Sequence, residues 1–229
     1  MKQTLQKAEQ KTEKKEAVPQ EETVGYDGLF WLFMIGCVLG VLVEGVFCLV
    51  AHGHWESHVV SVFGYFNILY GVGAVVMYAG AGILKSKNIA FRVTVITLVL
   101  TVLELIAGLL LRDGLGMEAW NYNGKFMNFQ GLICLSFSAI WGAGSLVFCI
   151  EYPRIKKFLL RFRGKRWHVA CVVLSVFMAV NLWFTGAAII RWSARHYGVE
   201  AANAFERSLD VESPDEWMKE RFVEWKFLD

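Results

Sequence analysis

Residues 94–142 read TVITLVLTVLELIAGLLLRDGLGMEAWNYNGKFMNFQGLICLSFSAIWG, and this stretch decides the fold. It consists of two apolar segments joined by a loop rich in aromatic and amide side chains. In the first segment, Thr101, Glu104 and Gly108 recur at helical spacing, which places them on one face. The second segment repeats this pattern with Asn128, Gly131, Ser138, Gly142 and Ser145. We therefore predict two helices whose polar faces contact protein rather than lipid.

The composition of the whole chain indicates an integral membrane protein. Of the 229 residues, 55% are hydrophobic, and the mean hydropathy is +0.42. Charged residues concentrate at the two ends and in short loops, which leaves apolar runs of about 20 residues, long enough to cross a bilayer. We predict an all-α, polytopic membrane helix bundle. Its five predicted transmembrane helices are residues 28–51, 59–84, 89–111, 128–150 and 167–190.

The chain divides into one membrane domain and two polar ends. Residues 1–27 alternate Lys, Glu and Gln and cannot bury a core, so we predict a disordered cytoplasmic tail. Residues 28–192 form the predicted transmembrane domain. Residues 193–229 form a predicted amphipathic tail on the extracytoplasmic side, in which Ser213 and Pro214 begin a short helix.

The distribution of basic residues predicts how the chain is oriented. Most of the 23 Lys and Arg residues lie in the N-terminal tail and in the two loops that share its side of a five-helix bundle. The positive-inside rule therefore places the N-terminus in the cytoplasm. The basic run at 154–166 is interpreted as a loop that faces anionic lipid headgroups rather than as a nucleic-acid site.

Two carboxylates, Glu44 and Glu104, fall inside predicted transmembrane helices. A carboxylate in hydrocarbon is costly unless it is paired or hydrated, so each indicates a functional site. The alternative is a protonated glutamate that hydrogen-bonds to a neighbouring helix. The predicted orientation places both side chains in the outer half of the membrane.

Other polar groups are predicted on the same side as the two glutamates. Asn67 and Tyr70 begin the second predicted helix, although Tyr70 could equally serve in packing at the interface. The aromatic and amide-rich loop after the third helix is expected to cap the outer mouth of the bundle. The predicted binding residues are Glu44, Asn67, Tyr70, Glu104, Trp120, Asn121, Tyr122 and Asn128.

A histidine-rich loop follows the first predicted helix. His52, His54, Glu56 and His58 offer imidazole and carboxylate ligands, but their spacing matches no closed zinc pattern. The five cysteines all fall within predicted helices without a Cys-x-x-Cys pair, which is typical of packing residues. We therefore assign no metal and no cofactor to the chain.

A series of short motifs follows in a fixed order along the chain. Their positions are Glu44, Tyr70, Gly71, Glu104, Trp120, Tyr122, Asn128, Gly131, Trp141 and Gly142, followed in the tail by Leu209, Asp210, Pro214, Asp215, Glu216 and Met218. This series resembles the ABC-transporter type IV (CmpB-like) family of bacterial integral membrane proteins. The chain departs from the family pattern at Asn121, where that family usually has aspartate, and at Leu132, where it usually has arginine. It is therefore identified as a divergent member.

The resemblance implies transport across a bacterial cell membrane. The chain has no Walker A motif, so it does not hydrolyse nucleotide through a P-loop. We predict a permease subunit whose outer-half site binds a cation, a proton or a polar solute. A separate ATPase subunit would dock on the cytoplasmic loops at 85–88 and 152–166, and the small bundle favours an oligomer.

Two other functional classes stay open at this point. A non-catalytic assembly or sensor protein would use the same glutamates to hold the helices together. An intramembrane enzyme acting on a lipid-like substrate would use a glutamate as general acid or base. The residues predicted in the outer half of the membrane supply no pair of nucleophile and base, so the enzyme hypothesis is less favoured than the other two.

Overall fold

A computed structural model describes residues 22–228 of the chain, apart from the side chains of Ala51 and His52. Most of the predicted disordered tail, residues 1–27, and the candidate ligand group of His52 therefore lie outside the described residues. The elements, in chain order, are α1 (Tyr26–His52), α2 (Ile68–Ile83), α3 (Ile89–Leu115), β1 (Met117–Glu118), α4 (Leu135–Leu159), α5 (Lys165–His196), α6 (Ala204–Glu212), α7 (Asp215–Arg221) and β2 (Lys226–Phe227).

The prediction of an all-α membrane bundle is confirmed. Helices α1, α3, α4 and α5 are long and apolar enough to cross a membrane. Helix α2 is an apolar helix of 16 residues. The two short strands form a single antiparallel pair that joins the end of α3 to the C-terminal tail.

Helix α2 begins at Ile68, later than the predicted start near residue 59. Residues 53–67, which we call the re-entrant segment, run without helix from the end of α1 back along that helix. The backbone N–H of Asn67 donates to the carbonyl of Cys37, midway along α1, at 3.0 Å. Helix α2 therefore begins inside the bundle rather than at its end.

The re-entrant segment is held by polar side chains of α5. The amide of Asn181 bonds to both the N–H and the carbonyl of Phe63, at 3.1 and 2.8 Å. The hydroxyl of Thr185 accepts from the N–H of Val62 at 2.9 Å. Because protein groups satisfy its backbone, this apolar segment need not be helical to be buried in a membrane protein.

Helix α4 also begins later than predicted, at Leu135 instead of residue 128. The preceding turn contains Met127, Gln130 and Gly131, which all have positive φ angles (50°, 53° and 72°). The N–H of Gly131 donates to the side chain of Asn128 rather than to a helical carbonyl. Left-handed backbone at three positions excludes a continuous helix here.

Helices α1 and α2 approach each other closely at glycine. A Cβ atom at Gly40 would collide with the ring of Tyr70, and one at Gly36 would lie 2.9 Å from the Tyr70 carbonyl oxygen. The glycines of α1 therefore let the start of α2, including Tyr70, lie against the α1 backbone.

The C-terminal tail folds back onto the end of the bundle. Met218 and Phe222 are buried against Met117, Ala188 and Trp192. Arg191, which is 5% exposed, donates to both carboxylate oxygens of Asp210. The tail is thus fixed to α5 by an ion pair between buried Arg191 and half-buried Asp210, and by an apolar cluster.

Candidate functional site

Helices α1 to α4, the loop after α3, the re-entrant segment and the C-terminal tail line a partly open cavity of about 470 Å³. Glu44 and Glu104 both line it, so we call it the two-glutamate cavity. Six of the eight predicted binding residues contribute to its wall: Glu44, Asn67, Tyr70, Glu104, Trp120 and Tyr122.

Glu44 is held by two neutral donors from the start of α2. The hydroxyl of Tyr70 donates to its Oε1 at 2.9 Å, and Nδ2 of Asn67 donates to its Oε2 at 3.2 Å. The Asn67 side chain also caps α2 by accepting from the N–H of Leu69. The positive end of the α2 dipole therefore lies beside this carboxylate.

Glu104 is the more deeply buried of the two carboxylates, with 3% of its surface exposed. The hydroxyl of Tyr122 donates to Oε1 at 2.9 Å, and the indole N–H of Trp141 donates to Oε2 at 3.1 Å. The Tyr122 ring stacks on Phe137 at 4.3 Å between centroids, which fixes the direction of its hydroxyl. Among the described residues, Glu104 forms no ion pair with Lys, Arg or His.

Two aromatic rings connect the carboxylates. The Tyr70 and Trp141 ring centroids are 5.6 Å apart, and each ring carries the donor to a different glutamate. Helices α1 and α2 supply one half of this arrangement, and α3 and α4 supply the other. The contact between α2 and α4 thus brings the two glutamate environments together.

Two predicted binding residues lie outside the cavity wall. The amide of Asn121 bonds to Glu118 and to the N–H of Asn123. The amide of Asn128 bonds to the carbonyl of Lys125 and the N–H of Gly131. Both side chains therefore shape the loop that carries Trp120 and Tyr122.

Trp120 does line the cavity, but its indole N–H donates to the carbonyl of Leu132 at 2.8 Å. Its contribution to the site is therefore its ring face. The indole bond also ties the loop to the turn before α4.

His58 and Glu224 line the cavity although sequence reasoning did not select either as a binding residue. Nδ1 of His58 lies 2.6 Å from Oε2 of Glu224 and 3.9 Å from Oε2 of Glu44. Glu224 comes from the tail, far from His58 in sequence. No local spacing could have paired them.

The C-terminal tail covers this end of the cavity with Phe222, Val223, Glu224 and Trp225. Arg221 fixes the tail by donating to the carbonyls of Ser61 and Gly64 in the re-entrant segment. Its guanidinium also lies over the Tyr65 ring, 5.4 Å from the centroid. Tail and re-entrant segment therefore form one cover.

Comparison with protein families finds a match over residues 31–186 with the family described as "Putative ABC-transporter type IV". The matched range covers more than half of the chain and includes Glu44, Asn67, Glu104 and Trp141. No curated protein and no solved structure matches the chain.

Proposed function

Because the chain belongs to the putative ABC-transporter type IV family, we propose that it is a transporter membrane subunit that binds a small organic cation in the two-glutamate cavity. Family membership and the four long apolar helices establish a membrane protein of transporter-like type. The organic cation as ligand and the two-glutamate cavity as its binding site are what we propose beyond this.

The observation that carries the proposal is the pairing of the buried Glu104 carboxylate with neutral donors only. Tyr122 and Trp141 partly replace the water lost by Glu104, but they bring no positive charge. A buried carboxylate without a counter-charge is unfavourable, and a cationic solute supplies that charge. Glu44 contributes a second carboxylate to the same space.

The other walls of the cavity suit an organic cation. Trp120, Tyr122, Phe137, Trp141 and Trp225 contribute to its lining. Aromatic faces attract a desolvated cation by about 2 kcal/mol or more, and they also accept its apolar groups. A volume of about 470 Å³ is large enough to hold a small organic solute.

The membrane arrangement belongs to the same proposal. The chain is a multi-pass protein of a bacterial cell membrane, with the two-glutamate cavity toward the outside. The α4–α5 turn follows Leu159, which lies beside Gly28 at the beginning of α1, and the α2–α3 turn follows Gly82, which lies beside Tyr152 of α4. Both turns are thus at the end away from the cavity, where an ATPase subunit would dock.

Binding is tested on the purified full-length chain in mild detergent with a panel of primary and quaternary amines. Each amine is paired with an uncharged molecule of the same shape, and thermal unfolding is followed as concentration rises. We expect at least one amine to raise the melting temperature progressively, as binding to the folded state requires. Its uncharged partner should have no effect.

Glu104→Gln is the variant that separates binding from structure, because the amide oxygen still accepts a hydrogen bond while the charge is gone. We expect it to fold and to lose the amine effect, whereas Glu212→Gln on exposed α6 should retain it. Equal stabilisation by charged and uncharged molecules, or an amine effect that survives in Glu104→Gln, would contradict the proposal. An assembly or sensor role would then be the better account.

A further inference from the structure

A second group of chemically reactive side chains lies beside the cavity. Cys48 near the end of α1, together with Glu56 and His58 in the re-entrant segment, places three ligand atoms within 4.8 Å of one another. We call these three residues the mouth cluster. Cys48 is buried, with 3% of its surface exposed.

The distances within the mouth cluster suit one metal ion. Sγ of Cys48 lies 3.1 Å from Nε2 of His58, and that nitrogen lies 3.7 Å from Oε2 of Glu56. Zinc binds sulfur at about 2.3 Å and nitrogen at about 2.0 Å in a tetrahedron, which separates ligand atoms by roughly 3.5 Å. Both separations from His58 are therefore already near the spacing of ligands around zinc, and the third lies within 4.8 Å.

The surroundings of His58 orient it as a ligand. Glu224 Oε2 lies 2.6 Å from Nδ1, so the carboxylate holds the proton on that nitrogen. Nε2 then presents its lone pair toward Cys48 and Glu56. A carboxylate behind a histidine is the usual outer partner of a zinc-bound imidazole.

Glu56 has an outer partner too. His54 Nε2 lies 2.6 Å from Oε1 of Glu56, on the carboxylate oxygen other than the one nearest His58. This contact holds the Glu56 side chain beside the cluster. Both the histidine and the carboxylate of the mouth cluster are therefore oriented by a second residue.

The charge balance also favours a cation here. Glu44 and Glu224 both approach His58, and neither forms an ion pair with Lys or Arg within residues 22–228. Even a protonated His58 leaves an excess of carboxylate at this position. A divalent ion offsets that excess and binds Cys48 as a thiolate, and the proton released by the Cys48 thiol passes to water.

We infer that Cys48, Glu56 and His58 bind zinc, with Glu224 as the residue that positions His58. Three protein ligands leave a fourth place for water or for a further ligand. The site joins α1, the re-entrant segment and, through Glu224, the tail that covers the two-glutamate cavity. It goes beyond the proposed transport function and does not depend on it.

The test uses cobalt(II) on the full-length chain, purified in detergent and stripped of metal with a chelator. Cobalt bound to a thiolate gives a near-ultraviolet charge-transfer band, and tetrahedral geometry gives strong visible bands. We expect both signals to saturate at one cobalt per chain and to disappear when zinc is added. Folded wild-type protein that shows no thiolate band overturns the inference.

Variants identify the ligands. Cys48→Ser should abolish the thiolate band, while Cys149→Ser, at another buried cysteine, should retain it. Glu56→Gln is a second test of the ligand set if Cys48→Ser does not fold, because Glu56 lies outside the helices. This variant should weaken zinc binding at least tenfold. A band that survives in folded Cys48→Ser, or unchanged zinc affinity in Glu56→Gln, overturns the ligand set.

Glu224→Gln tests the positioning role. We expect zinc affinity to fall by about 10- to 100-fold while the thiolate band keeps its position, because the ligands themselves are unchanged. Exposed Glu220→Gln is the matched control and should bind as the wild type does. Glu104→Gln should also keep the cobalt signal, so failure of the cation proposal and failure of the zinc site are observed separately.

Discussion

Tyr70 shows how much a single side chain contributes to this site. Its ring fills the space left by Gly40 and lies 5.6 Å from the Trp141 ring between centroids, and its hydroxyl donates to Glu44. The ring has a packing role and the hydroxyl has an electrostatic role. A variant that removes the hydroxyl and keeps the ring therefore separates the two roles.

Tyr70→Phe should retain the fold and weaken binding of the organic cation in the two-glutamate cavity. The ring contacts stay, but Glu44 loses a hydrogen bond, and such a bond to a charged acceptor contributes about 1.5–3 kcal/mol. We expect the dissociation constant to rise about tenfold or more, measured by calorimetry with the amine that stabilises the wild type.

Tyr65→Phe is the control, because Tyr65 is exposed and lies outside the cavity lining. It should bind the amine as the wild type does. If Tyr70→Phe binds equally well, the hydroxyl does not take part in solute binding.

The residues of the loop after α3 show what could be predicted at this scale. Trp120 and Tyr122, two of the predicted binding residues, line the cavity. Asn121 and Asn128 instead bond to nearby loop groups. Amide side chains in turns commonly bond to local backbone, and residue type alone does not distinguish that use from ligand binding.

Among the elements, the pair α1 and α2 decides where the cavity lies. Gly40 allows the start of α2 to approach α1, and this approach brings Tyr70 to Glu44. Hydropathy predicts both helices but not how closely they meet.

Gly40→Ala should destabilise the bundle. The added methyl group would collide with the Tyr70 ring, and relieving such a collision costs about 1–3 kcal/mol. We expect a lower melting temperature in detergent, measured from helical circular dichroism.

Gly186→Ala on α5 provides the matched change, because nothing lies within 4 Å of its added Cβ. Alanine is the better helix former by about 1 kcal/mol, so this variant should be as stable as the wild type or more stable. A similar loss of stability in both variants would show that the collision at the α1–α2 contact does not cause the destabilisation of Gly40→Ala.

The helix starts mark the limit of prediction for elements. Residues 59–67 are apolar enough to be predicted as helix. In the structure this backbone is not helical, because it forms hydrogen bonds with Asn181 and Thr185 of α5 instead. Residues 128–134 are not helical, because Gln130 and Gly131, like Met127 just before them, have positive φ. Both outcomes depend on contacts or backbone angles that a hydropathy pattern does not contain.

For the whole molecule, docking of the C-terminal tail is the property that a change of pH can test. The Arg191 guanidinium, which donates to both oxygens of Asp210, holds the pKa of that carboxyl below its usual value, and Arg195 adds to the effect while burial opposes it. Such a carboxyl stabilises docking above its undocked pKa, and this stabilisation is lost as the pH falls through the lowered pKa.

Hydrogen exchange of α6 and α7, corrected for the intrinsic effect of pH, measures tail docking. In the wild type, protection should persist to pH values below 3.8, the ordinary pKa of aspartate, and then fall. Asp210→Asn should reduce protection already at neutral pH, because buried Arg191 loses its charged partner.

Asp113→Asn serves as the control, since Asp113 is exposed and pairs only at the surface with Arg112. It should leave the exchange of α6 and α7 unchanged. Full protection of the tail in Asp210→Asn at neutral pH would show that the apolar cluster around Met218 suffices for docking.

The sequence by itself determined the class of this protein. Long apolar runs predict an all-α membrane bundle, and the ordered motifs around Glu44, Glu104 and Trp141 predict the family; both predictions are confirmed. Tertiary structure alone decided that α2 begins inside the bundle, that Tyr70 meets Trp141, and that Glu224 reaches His58. The physical reason is the sequence separation of the interacting residues. Hydropathy and helical periodicity are properties of neighbouring residues, whereas these contacts join segments distant in sequence and form only when the helices pack.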